Sequence, residues 1–221
     1  MKIAIIGAGL SGASVLRTIL EHPNFNEKDQ IDVFEPRELL GVGLPYDSDD
    51  ESIMLNVSPD ILSYDQTKPD DFVEWLHENY EDPYNFEGLI SRPKYGRYLA
   101  ERFAPYFEHE QVTHQQVEVE DVKVLDKETH EVLMSAKKGT YRYQLKTANG
   151  WSEEIYDALF FSVGHPPYAD YYNLVGVENY VHNPYPMKDV LGNLSGNERV
   201  GIIGSGASGI DLMRFLTLKQ D

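Results

Sequence analysis

Gly7, Gly9 and Gly12 are spaced Gly-x-Gly-x-x-Gly at the start of a 221-residue chain, and the spacing returns as Gly204, Gly206 and Gly209. Residues of this type at this spacing bind a ligand through the main chain. Gly7 permits a tight turn, Gly9 lets the backbone approach a pyrophosphate, and Gly12 lets a helix lie close against a strand. The helix N-terminus behind them offers unpaired N–H groups and partial positive charge to phosphate oxygens. Glu35 then follows at close to the ~20-residue offset of a carboxylate that takes a ribose hydroxyl. An acid there suits FAD or NAD and repels a 2′-phosphate. The chemistry on offer is dinucleotide binding.

The elements needed to position these residues are legible on either side. Ile3 to Ile6 form a short apolar run entering the glycines, and Ala13, Leu16, Ile19 and Leu20 recur at helical spacing after them. Ile31 to Phe34 read as a second strand ending at Glu35. Strand, glycine turn, helix, strand and terminal acid together are much more specific than the glycines alone. A signal peptide is the competing reading of the N-terminus, but Gly7, Gly9 and Ser11 interrupt the apolar stretch, and Arg17 and Glu21 follow closely.

Composition narrows the class. Nineteen basic against 37 acidic side chains give a formal charge of −18, which disfavours nucleic acid and anionic membranes as partners. The absence of cysteine excludes disulfides, thiolate metal sites and a redox dithiol, and the seven histidines show no ligand spacing. No metal site is expected. No apolar run approaches the ~18 residues of a membrane span, and the chain reads as soluble and cytoplasmic.

Further along, residues 36–111 form an excursion without a strongly alternating strand. It contains the glycine-rich Leu40 to Tyr46, a helix beginning at Pro69-Asp70-Asp71, and a second helix after Ser91-Arg92-Pro93. Tyr95, Tyr98, Leu99, Phe103 and Phe107 lie on one side of that second helix and read as core. Val112 to Val117 is the expected third strand of the sheet. Val122–Leu125, Glu131–Met134, Tyr141–Leu145 and Trp151–Ile155 are expected to form a small antiparallel meander turning at Asn149-Gly150. Leu159 to Val163, bounded by Gly and Pro, reads as a fully buried parallel strand. After a connecting segment, Val200 to Ile203 is expected as a strand leading into the second glycine motif and a helix. Because the pattern stops before a second ribose-binding acid, the chain reads as the N-terminal part of a longer polypeptide.

The chain resembles the two-dinucleotide-binding flavoproteins, and within them a bacterial FAD/NAD(P)-binding family that includes FAD-dependent urate hydroxylase. It is more distantly similar to flavin-containing monooxygenases. Gly7 to Gly12, Glu35-Pro36, Gly41 to Tyr46, Leu55-Asn56-Val57, Phe72 to Leu76, Arg92 to Leu99, Asp157 to Pro167 and Gly204 to Gly209 carry the resemblance. It implies an α/β fold, a Rossmann-like parallel sheet of the glutathione-reductase type with an inserted β-meander and a helical excursion. Residues 1–198 would be the FAD-binding domain, with the excursion at 36–111 and the meander at about 118–156. Residues 199–221 would begin an NAD(P)-binding domain. Gly7, Ala8, Gly9, Leu10, Ser11 and Gly12 would hold the FAD pyrophosphate, and Glu35 with Pro36 the adenosine ribose. Gly43 would line the pyrophosphate–flavin side, Leu55 and Asn56 would approach the flavin, and Val117 would meet adenine through its backbone. Ser162 and Gly164 match the second flavoprotein fingerprint, and Gly204, Gly206 and Gly209 would seat NAD(P)H.

No side chain presents itself as a committed acid, base or nucleophile. His165 beside the expected cofactor reads first as a turn or packing residue, and Arg92 and Arg97 could face phosphate or pair with nearby acids. The resemblance implies a FAD-dependent, NAD(P)H-linked oxidoreductase, with a monooxygenase or hydroxylase of a small molecule as the reading within that class. A non-enzymatic dinucleotide-binding module is the alternative. One NAD-binding domain of an ordinary dehydrogenase fits poorly, given the excursion and the meander. The Val200–Ile203 strand and its helix are expected to pack against the FAD domain or a neighbouring molecule, burying Ile202, Ile203, Leu212 and Phe215.

Overall fold

The computed structural model describes residues 1–85, 88–133 and 141–218. The chain forms two compact units, the first comprising Met1–Gly43 with Ala100–Gly164, the second Leu44–Leu99 with His165–Asp221.

The first unit is built on β1 (Lys2–Ile6), and the burial of that strand explains its sequence. β1 pairs in parallel with β2 (Gln30–Phe34) on one side and β7 (Ala158–Phe161) on the other. β2 pairs in parallel with β3 (Val112–Gln115), so the sheet order is β3-β2-β1-β7. Side chains alternate across a strand. Ile3 and Ile5, with Ile31 and Val33 of β2, face Leu16 of helix α1 (Leu10–Leu20). Ala4 and Ile6, with Phe34, face Leu145 and Tyr156 of a second sheet. Both faces of β1 are therefore covered, which is why Ile3 to Ile6 is continuously apolar.

That second sheet is the antiparallel meander β4 (Val119–Asp126), β5 (Tyr141–Thr147), β6 (Gly150–Tyr156). β5 turns into β6 through Ala148-Asn149, and Gly150 takes φ +99°, a conformation that glycine adopts without cost. Tyr156 anchors the meander on the parallel sheet, its hydroxyl donating to the buried Asp32 carboxylate at 2.7 Å. The expected strand Glu131–Met134 is reduced to a single bridge between Leu125 and Val132, and Met134 lies outside the described residues.

β7 corrects another expectation. The strand is present and parallel, yet Phe160 is 38% and Phe161 64% exposed, and Val163 beyond it is also exposed. The reason is its place in the order: among the described residues β7 has β1 as its strand neighbour and forms the sheet edge. An apolar run reports a preference for burial; strand order decides whether it is met.

In the second unit, α2 (Asp71–Asn79) buries Phe72, Trp75 and Leu76, a spacing of three and four that makes one helical face. Phe72 meets Tyr95 and Tyr98 of α3 (Arg92–Phe107) with ring centroids 4.9 and 4.7 Å apart. Tyr95, Tyr98 and Leu99 are all buried, as their spacing predicts, and so is Phe103 of the same helix, which is counted with the first unit. Tyr98 secures its hydroxyl by donating to Asp71 at 2.8 Å and accepting from the Tyr64 N–H at 3.1 Å. Burial, the leading cause, raises the Tyr98 pKa above its ordinary value. A short contact pairs the excursion with itself: Met54 bridges Ser91 in antiparallel fashion.

The C-terminal region holds a four-residue helix α4 (Met187–Val190) and α5 (Ala207–Leu218). Asp49 accepts from the N–H groups of Met187 and Lys188, both at 3.0 Å, and caps α4. Phe215 is buried in a cluster with Ile53, Met187 and Leu191, and Leu212 packs against it, as expected. The expected strand Val200–Ile203 is absent, and Val200 and Ile203 are exposed, 50% and 68%. Among the described residues the segment has no strand beside it to convert its β-preference into a strand.

Candidate glycine-turn binding site

The first glycine motif is shaped by contacts that exclude a side chain. Gly7 has φ +91°, and a Cβ there would sit 2.2 Å from the Ser162 carbonyl oxygen. At Gly12 a Cβ would lie 1.9 Å from the Gly7 carbonyl oxygen, and at Gly9 it would meet the Gly43 Cα at 3.1 Å. The turn is held by the Gly7 N–H donating to Phe34 O at 2.8 Å and by the Gly41 N–H donating to Ala8 O at 2.7 Å. The Ser162 N–H donates to Ile6 O at 2.7 Å, so the end of β7 is locked beside the same turn. Gly7, Gly9, Gly12, Gly43 and Ser162 are thus one assembly within the first unit.

Helix α1 opens at Leu10 with Gly9 as its N-cap, with no side-chain cap and no acid in its first turn. Its terminal N–H groups and dipole therefore point at the turn uncompensated by side chains, an arrangement that suits phosphate. Ala8 is fully buried and Ser11 exposed at the mouth.

Glu35 lies at the end of β2, buried beside this turn, and its Oε2 accepts from the Ala8 N–H at 3.1 Å. Arg37 grips it as a fork, Nε to Oε1 at 2.8 Å and Nη2 to Oε2 at 3.2 Å, while the Arg37 N–H also donates to Oε1 at 3.2 Å. Burial by itself would raise this carboxyl; the Arg37 fork and the Ala8 N–H outweigh it and hold the pKa below the ordinary carboxylate value. Arg37 was not singled out from the sequence, and the Glu-x-Arg spacing at a strand end is the signal that could have found it. His114 on β3 adds a ring-nitrogen contact to the Glu35 carbonyl at 2.8 Å.

The other expected site residues are distributed as follows. Pro36 is exposed beside Glu35. Val117 lies past the end of β3, its N–H donating to Gln115 O at 2.8 Å, so the carbonyl is the group it can offer a ligand. Gly164 is exposed with φ +77° and open space where a Cβ would stand. Leu55 and Asn56 belong to the second unit, Leu55 buried and Asn56 exposed. His165 is exposed, its Nδ1 paired with the adjacent Pro166 carbonyl at 2.7 Å, a contact local to its own turn.

The second glycine motif keeps only part of the first one's geometry. A Cβ at Gly209 would lie 2.9 Å from the Gly204 carbonyl, the counterpart of the Gly12–Gly7 contact, but Gly204 and Gly206 face open space. Turn and helix are present; the sheet that tightens the first motif has no counterpart there among the described residues. Arg97 donates to Glu51 at 2.9 Å and to the Tyr80 hydroxyl at 2.7 Å, a pairing on the surface. Arg92 instead reaches Asp211 at 2.8 Å in a largely buried pair. Among the described residues no group of His, Asp and Glu could hold a metal, and no helix is long and apolar enough to cross a membrane.

A parallel sheet whose central strand runs through a glycine turn into an uncapped helix, with a buried acid at the next strand end, defines a dinucleotide-binding α/β protein. The FAD-NAD(P)-binding family model matches residues 4–166, and the chain belongs to that family. No curated protein matches the sequence. Similar solved structures include closed cyclohexanone monooxygenase, at 15% identity and TM-score 0.49 over 78% of this chain and 27% of that one. The cyclohexanone monooxygenase from Rhodococcus sp. Phi1 bound to NADP+ is similar at 16% identity and TM-score 0.45, over 76% and 27% of the two chains. An ornithine N-hydroxylase from Kutzneria sp. 744 is similar at 15% identity and TM-score 0.45, over 72% and 36%. The chain thus spans about a quarter to a third of the length of these structures.

Proposed function

We propose that this chain is the FAD-binding part of a FAD-dependent, NAD(P)H-linked oxidoreductase acting on a small molecule, of the monooxygenase or hydroxylase kind. The observation that carries the reading is the fit of the first glycine turn. Gly7 and Gly12 there exclude a Cβ and Gly9 leaves only tight room for one, an uncapped helix terminus faces the turn, and a buried carboxylate stands at its side. Gly7 to Gly12 with Gly43 would hold the pyrophosphate by main-chain N–H groups. Glu35 would take the adenosine ribose, with Pro36 beside it, and Val117 would offer its carbonyl to adenine. Ser162 and Gly164 would border the cofactor at the end of β7.

For Glu35 to accept a ribose hydroxyl, one of the two side-chain donations from Arg37 has to yield, because the carboxylate already accepts four bonds. Arg37 therefore sets how readily the carboxylate is released to the ligand. Leu55 and Asn56 are assigned to the flavin ring, and Gly204, Gly206 and Gly209 to the phosphates of NAD(P)H. When bound, flavin supplies the hydride and electron chemistry. The chain's residues supply position, charge and the exclusion of water.

The test is the visible absorbance of the purified protein before and after FAD is added. Flavin bands that persist through gel filtration, and are lost in Gly9→Val, support the reading. A folded protein that never retains FAD refutes it. A second reading, a dinucleotide-binding regulatory or interaction module, is favoured by the open geometry at Gly204 and Gly206. Protein that retains FAD yet oxidises no NAD(P)H with any acceptor would select it.

A further inference from the structure

Arg92 is held at three points within the second unit, and they join two stretches far apart in sequence. Its N–H donates to Ile53 O at 2.7 Å and its Nε to Met54 O at 3.0 Å, while the Leu55 N–H donates to Ile90 O at 2.8 Å. The segment carrying Leu55 and Asn56 is thus clamped by both the main chain and the side chain of Arg92. At its far end, Nη2 of Arg92 lies 2.8 Å from Oδ2 of Asp211, on the first turns of α5 and two residues beyond Gly209. The same Asp211 oxygen accepts from the Tyr185 hydroxyl at 2.7 Å, and the Arg92 guanidinium lies over the Tyr185 ring, 5.8 Å from its centroid. Asp211 is 4% exposed. Ile53 adds an apolar tie, packing in one cluster with Phe215 of α5.

We propose that Arg92, through Asp211 and Tyr185, is a positioning residue that couples the second glycine motif to the Leu55–Asn56 segment, so that occupancy of one is felt at the other. The functional part of this inference rests on the assignment of flavin to Leu55–Asn56 and NAD(P)H to Gly204–Gly209. The physical reason is rigidity. A buried carboxylate without a cationic partner is costly, so α5 cannot shift while Asp211 stays paired unless Arg92 follows. Arg92 cannot follow without straining its bonds to Ile53 and Met54. Lysine keeps the charge but reaches one of the two side-chain partners at a time, because it lacks the guanidinium fork.

Two measurements on the purified protein test this. Hydrogen–deuterium exchange without ligand compares wild type with Asp211→Asn and Tyr185→Phe. The coupling expects faster exchange in α5 and, by about tenfold, at the distant Leu55 and Arg92 N–H groups; acceleration confined to α5 overturns it. The second measurement follows the flavin spectrum of FAD-loaded protein during titration with NAD+ and with NADP+ in turn, and takes the affinity of whichever binds more tightly with and without FAD. Wild type is expected to show a flavin shift and a mutual affinity change of at least about fivefold, within the usual range of coupling between sites. Arg92→Lys is expected to retain both ligands and bring that factor close to one. An unchanged factor in Arg92→Lys, or a factor of one in wild type, overturns the coupling. A wild type that retains no FAD refutes the functional assignment instead, while the exchange result still decides the physical linkage.

Discussion

Replacing Gly12 by alanine is the sharpest test of how the glycine turn is built. Elsewhere in a helix this change is favourable by about 1 kcal/mol, because alanine restricts the unfolded chain and has the higher helix propensity. At Gly12 the new Cβ would stand 1.9 Å from the Gly7 carbonyl oxygen, against 3.4 Å for an ordinary contact. Both partners are main chain, so no side chain can swing aside. Relief needs a shift of α1, which carries the fully buried Ala13 and Leu16, or of the Gly7 turn, which is tied to Phe34. Overpacking of this kind costs about 3 kcal/mol or more at its upper range, leaving a net destabilisation of about 2 kcal/mol. For a chain of this size that lowers Tm by about 4–8 °C. Gly206→Ala is the matched control: its Cβ meets nothing within 4 Å, and Tm should move by less than about 2 °C. Thermal unfolding followed by circular dichroism decides the comparison. A Gly12→Ala protein that melts with wild type would refute the close approach of helix and turn.

Further expectations follow from the same physical terms. Glu35 has a folded-state pKa below its unfolded value. Its contribution is therefore full above about pH 4.3 and is lost as pH falls through the lower folded value; Glu35→Gln should flatten that part of the acid-unfolding curve. Arg37→Ala leaves the burial of Glu35 without its main counterweight, so the Glu35 carboxyl should titrate at higher pH, read by carbon-detected NMR. Tyr156→Phe removes a hydroxyl donating to a buried carboxylate and should cost about 1.5–3 kcal/mol in urea unfolding. Arg97→Ala breaks a pair whose side chains are both about half exposed and should change stability by less than about 1 kcal/mol in the same assay.

Much of the first unit could be read from local pattern. The run Ile3 to Ile6, three glycines and the helical spacing after them specify strand, turn and helix through backbone sterics and amphipathicity, both of which act over a few residues. The same holds for Tyr95, Tyr98, Leu99 and Phe103, buried along one stripe of α3. Glu35 could be placed at the site because strand length sets where a chain emerges from a sheet. These features depend on neighbours in sequence, so the sequence displays them.

Tertiary structure decided the rest. Leu159 to Val163 carries an apolar pattern suited to a buried strand, yet order β3-β2-β1-β7 puts Phe160 and Phe161 on an edge. Val200 to Ile203 resembles Ile3 to Ile6 in composition, but a strand exists only when a partner supplies its hydrogen bonds, and no partner is recorded in its sequence. Arg37 on Glu35 and Arg92 on Asp211 were hidden for a related reason. A charged side chain chooses its partner by distance in space, and Arg92 and Asp211 are separated by more than half of the chain. Sequence by itself determined the cradle and its acid; folding determined which cations hold that acid, which strand lies at the edge, and what ties the second glycine motif down.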